Sequence, residues 1–160
     1  MPHDVLEVLD VPRLVHGRAG FEKLIGREFV IASWYEITEA AAQAHVVSSG
    51  EPRHPGQTHV SGFMTASLAV TLFCSTFELR GFDAFLNYGT DRMRLPAQLF
   101  VGDQVRARIK IAEVRPFPGG ADLFSELTFE SQHAAKPVCW LSWIARGYET
   151  RTRPGPGCRA

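Results

Sequence analysis

Hydrophobic and polar positions along this chain follow two different periods. In VRARIKIAEV (105–114) apolar and mostly basic side chains alternate at period two, as in a strand with one buried and one wet face. Strand character recurs at 28–37 (EFVIASWYEI), 82–88, 121–130 and 136–150. PFPGG (116–120) and QHAAK (132–136) read as turns between them. Helical spacing appears in three places. A short helix over 21–25 stops at Gly26, and Thr38 caps a second through TEAAAQAHVVSS, which Gly50 ends. Ser61 opens the third, SGFMTASLAVTLFCSTFELR (61–80). Phe63, Met64, Leu68, Val70, Leu72 and Phe73 leave it no polar face of ordinary width, which predicts burial nearly all round. Strand, helix, loop, apolar helix and then a run of antiparallel strands together predict an α+β domain, with one antiparallel sheet wrapped around a long central apolar helix. Residues 1–20 are weakly patterned and 151–160 read as a frayed tail, so 1–150 is expected to be a single domain.

Composition narrows the function classes. The chain has 160 residues, 45% hydrophobic and 21% charged, which is globular rather than disordered. Seventeen Lys and Arg balance seventeen Asp and Glu, and without a basic excess nucleic acid is not expected as a partner. Three cysteines without a CxxC spacing predict a reducing compartment and no metal site. The start lacks a basic segment followed by an apolar run, and the longest apolar stretch (62–74) is too short for a bilayer. A cytoplasmic protein, not a membrane protein, is expected.

Candidate chemistry concentrates in the loop GEPRHPGQTHV (50–60). Glu51, His54 and His59 lie within nine residues of one another, just before the apolar helix. Imidazoles suit proton transfer near neutral pH, and burial can tune a carboxylate toward the same range. Ser61 is placed to cap the helix, and the Gly62 and Phe63 amides, free of intrahelical partners, are candidates for holding a developing oxyanion. No GxSxG surrounds Ser61 and no Asp–His relay is apparent, so a nucleophilic serine is not expected. His3, His16, His45 and His133 carry no supporting context in the sequence. Arg92 and Arg94 are candidate contacts for an anionic group such as a phosphate.

SWYEIT, the short helix ending in SGE, SGFMTASL and NYGTDRMRLPAQLFVGDQVRARIKIAEV together resemble the MaoC-like family, in particular its nodulation-protein-N-like branch. The most specific features are Asn87, Tyr88, Gly89, Arg94, Pro96, Gly102 and Asp103. The resemblance implies a hotdog fold. It also implies a dehydratase or hydratase of 3-hydroxyacyl and enoyl thioesters, carried on an acyl carrier protein or coenzyme A, with no further cofactor. A homodimer, or a heterodimer with another hotdog subunit, is implied as well. The family pattern has an Asp after Gly, a His five residues later and a second His before the Gly that starts the helix. Here Glu51 stands at the Asp position, Ser61 precedes Gly62, and the intervening loop is shortened. The loop also resembles β-hydroxyacyl-carrier-protein dehydratases, which favours His54 beside Pro55-Gly56 but leaves Ser67 where that family has an acid. The unusual loop suggests polyketide or specialised fatty-acid assembly. A non-catalytic partner subunit and an acyl thioesterase are the alternatives.

Overall fold

A computed structural model describes residues 6–149. The expected tail at 151–160, with Cys158, lies outside the described residues. Nine strands and three helices follow the order β1 (Leu6–Leu9), β2 (Arg13–His16), α1 (Gly17–Glu22), β3 (Glu28–Ile31), β4 (Tyr35–Glu36), α2 (Glu39–Ser49) and α3 (Gly62–Thr76). The chain continues through β5 (Phe77–Arg80), β6 (Phe82–Arg94), β7 (Gln104–Phe117), β8 (Gly120–Ser131) and β9 (Cys139–Glu149). The main sheet runs β1-β3-β7-β8-β9-β6, with β4 also on β7.

The period-two reading of the second half holds. Along β7 the inward positions Val105, Ala107, Ile109 and Ile111 are buried, while β8 contributes Leu123, Leu127 and Phe129, and β9 adds Leu141, Trp143 and Ala145. β7 and β8 close on a two-residue turn, Pro118-Gly119, with Phe117 opposite Gly120 and Gly119 at φ 93°. Against this inner face packs α3, whose Met64, Leu68, Leu72 and Phe73 are all under a tenth exposed. Phe73 meets Phe21, Phe77, Phe85 and Trp143 in an aromatic cluster with ring centroids 4.9–6.0 Å from its own. The architecture is the expected α+β one, a mostly antiparallel sheet curled on one apolar helix.

Four details correct the sequence reading. The apolar helix ends at Thr76, not at residue 80: Phe77 turns to φ −125°, ψ 126°, and β5 pairs in parallel with β2. The alternating F-E-L-R segment thus finds a partner in the N-terminal residues that local patterning left blank. The stretch 28–37 is interrupted, because Ala32 donates to Leu9 O, but β3 and β4 both pair with β7. The first helix starts at Gly17 rather than at 21. Finally, α3 is not buried all round. Phe63 is 71% exposed and Val70 37%, and with Ser67 and Cys74 they form a stripe at helical spacing. Neither Cys74 nor Cys139 is in a disulfide, and burial pushes the Cys139 thiol up to about 12.

Candidate active site

The start of α3 is fixed by its own sequence. Ser61 Oγ accepts from Met64 N–H at 3.0 Å and its carbonyl accepts from Thr65 N–H, also at 3.0 Å. The Gly62 and Phe63 amides therefore belong to the first turn that no intrahelical carbonyl serves. Leu95 Cδ1 occupies the space that a Cβ at Gly62 would take.

Eleven residues before Ser61, α2 ends at Gly50 in the left-handed region (φ 71°), its N–H bonded to Val46 O. This reversal folds Glu51 back alongside the last turn of α2. There Glu51 Oε2 stands 3.5 Å from His45 Nε2, and the same nitrogen lies 3.2 Å from Ser61 Oγ. His45, Glu51, Ser61 and His59 line a narrow cleft floored by Ala42, Val60 and Met64. The His45 side chain is 19% exposed and that of Glu51 41%, so the pair is sheltered yet open to a ligand.

His45 is the residue that sequence reasoning passed over. A signal was present: it lies three residues after Ala42 and four after Ala41, on the face of α2 that packs inward. Its partners, however, come from beyond the helix. Of the residues that were singled out, Glu51, His59 and Ser61 come together in this cleft. His59 is held by a β-bridge to Phe100, with its ring edge-on to that phenylalanine at 6.5 Å. His54 does not join them. It is exposed and faces an outer groove with Glu39, Gln43 and Arg53. Its backbone makes the local bonds, N–H to Gln57 Oε1 and carbonyl from Gln57 N–H.

Arg53 ties that outer side down. It donates to Gln57 O through Nε and Nη2, at 3.1 and 2.8 Å, and pairs with both carboxylate oxygens of Glu39. The Glu39 carboxyl is held below its usual value chiefly by this hydrogen bond. On the far side of α3, Phe63 and Ala66 face Asn87, Tyr88, Met93 and Trp143 across an open groove. Trp143 Nε1 donates to Asn87 Oδ1 at 2.8 Å, fixing the base of the groove. Arg92 and Arg94 are exposed on β6, which borders it.

His45, Glu51 and Ser61 do not form a nucleophilic relay. Such a relay needs the acid and the hydroxyl on opposite ring nitrogens, whereas here both meet Nε2. What the arrangement can do is accept a proton on an imidazole, stabilise it there with a carboxylate, and offer backbone donors one turn away.

The solved structure of a MaoC-like dehydratase from Rhodospirillum rubrum superimposes with a TM-score of 0.60 over 81% of this chain and 97% of that one, at 18% identity. The chain has the hotdog fold. An R-hydratase from Pseudomonas aeruginosa is similar with a TM-score of 0.59, 13% identity and coverage of 88% and 95%. No family model matches the chain. In sequence, 92 residues are 33% identical to 3-hydroxyacyl-thioester dehydratase Z of Mycobacterium tuberculosis, over 57% of this hotdog chain and 61% of that protein. Nodulation protein N of Rhizobium leguminosarum matches at the same identity over 56% of each chain. The matched stretch thus spans about three-fifths of these curated relatives. Among the described residues no helix is long and apolar enough to cross a membrane, and no group of three or more His, Cys, Asp or Glu converges as for a metal ion.

Proposed function

We propose that this protein interconverts 3-hydroxyacyl and 2-enoyl thioesters, carried on coenzyme A or an acyl carrier protein. The observation that carries the reading is an imidazole–carboxylate pair facing the capped start of the central helix of a hotdog fold. The names of the relatives, a 3-hydroxyacyl-thioester dehydratase and an R-hydratase, support the same reaction. Removing the proton next to a thioester carbonyl places charge on the carbonyl oxygen, and the Gly62 and Phe63 amides are the donors for it. The imidazole and Glu51 then handle the proton that leaves one carbon and the hydroxyl that leaves the next.

The atypical residues 50–60 fit a specialised acyl chain, as in polyketide or unusual fatty-acid assembly. Arg92 and Arg94, exposed on β6 beside the groove, are the proposed contacts for a carrier's phosphate. A second hotdog subunit, identical or related, is the proposed cover for the stripe of Phe63, Ser67, Val70 and Cys74. The outer edge of β6, which pairs only with β9 among the described residues, borders the same groove. Phe63→Glu then shifts the protein toward the monomer in sedimentation velocity, and a wild type that is monomeric throughout excludes the cover.

The deciding assay offers purified protein enoyl and 3-hydroxyacyl thioesters of several chain lengths, on coenzyme A and on a carrier. Loss or gain of the conjugated enoyl-thioester absorbance is the expected result. Release of free thiol without it marks a thioesterase. Turnover only after a second hotdog subunit is added marks a partner subunit. Inertness toward every thioester overturns the reading.

A further inference from the structure

The structure assigns His45, and not His54 or His59, as the group that moves the substrate's proton in this cleft. The assignment rests on the thioester reading above and specifies its catalytic residue. Three observations carry it. Of the three imidazoles, only His45 has a carboxylate facing a ring nitrogen, Glu51 Oε2 at 3.5 Å from Nε2. His54 lies in the outer groove and His59 is edge-on to Phe100. Second, Ser61 orients the same nitrogen. Its Oγ lies 3.2 Å from Nε2 and also accepts from Met64 N–H, so the cap that fixes the hydroxyl also fixes the ring. Third, the side chain is 19% exposed and lines the cleft, so it is neither sealed in the core nor in bulk solvent. The other charged or titratable groups lining the cleft are Glu51, Arg53 and His59, and Arg53 is engaged by Glu39.

The step balances with one residue. In dehydration His45 Nε2 takes the proton from the carbon next to the thioester carbonyl. The C–H pair becomes the enolate double bond and the charge moves to the oxygen. When the carbonyl re-forms, that pair becomes the new carbon–carbon double bond and the neighbouring C–O bond breaks. The departing hydroxyl takes the same proton back from Nε2 and leaves as water. Glu51 stabilises the imidazolium in between.

The test compares His45→Gln, His45→Ala, His54→Gln and His59→Gln with wild type on a thioester that wild type turns over. Circular dichroism and melting confirm folding. His45→Gln keeps a polar group within reach of Ser61, so a purely structural role is retained. Loss of proton transfer lowers kcat about 10²- to 10⁴-fold, with KM little changed and one limb of the pH profile of kcat gone. Added imidazole restores part of the rate to His45→Ala. Wild-type kcat and pH profile in His45→Gln, or the large loss falling instead on His54→Gln or His59→Gln, overturns the assignment and leaves the thioester reading standing. A wild type inert toward every thioester overturns both.

Discussion

The loop at residues 50–60 borders two clefts, and each contains a carboxylate and a histidine. On the outer side the carboxylate, Glu39, is neutralised by Arg53, which also grips Gln57 O, while His54 stands exposed beside them. On the inner side the carboxylate, Glu51, faces the imidazole of His45. A carboxylate neutralised by arginine is a clamp, because Arg stays protonated at any working pH. A carboxylate against imidazole is a device that can take up and release a proton. The same residue types thus hold the loop shape on one side and, in the proposed reading, supply chemistry on the other.

The largest expected effect separates the two carboxylates. Glu51→Gln lowers kcat on a thioester substrate by about 10²-fold or more, whereas Glu39→Gln leaves kcat close to wild type; steady-state rates of the two variants decide it. Equal losses in both would erase the distinction between device and clamp. Next in size is Ser61→Ala, which removes the cap of α3. It lowers unfolding free energy by about 0.5–2 kcal/mol, read from urea titration, and unchanged stability would mean that Met64 N–H finds another acceptor.

The clamp has its own pH signature. Arg53 holds the Glu39 carboxyl below its ordinary value, so the stability it adds is present above the usual carboxylate range and is lost as pH falls through the lower folded value. The melting temperature of wild type minus that of Glu39→Gln is therefore positive above this range and shrinks toward zero in acid. A difference that grows in acid reverses the sign and sinks the clamp. The smallest effect is that of His54→Ala, whose stability stays within about 0.5 kcal/mol of wild type in the same urea titration. A larger drop would place the His54 ring in a contact the structure does not give it.

Much of the fold was legible in the chain because it is written in short periods. β7 and β8 declare themselves by alternation, α2 by Thr38 and Gly50, and the start of α3 by Ser61. The segments that were misread depend on partners far away. Phe77–Arg80 is apolar enough to extend a helix, and becomes a strand because Arg13–His16 lies alongside. The site divides in the same manner. Glu51, His59 and Ser61 cluster in sequence and in space. His54 clusters with them in sequence only, because Pro55-Gly56 and the Arg53 grip on Gln57 turn it outward.

By itself the sequence determined that one apolar helix would be sheathed by an antiparallel sheet, and that titratable side chains would gather at that helix's capped start. These follow from patterns read within a few residues, where propensity and capping act. Tertiary structure alone decided which imidazole faces the carboxylate, and that α3 keeps an apolar stripe uncovered. Those depend on the left-handed turn at Gly50 and on where β6 stops having a neighbour, long-range arrangements that no local pattern encodes.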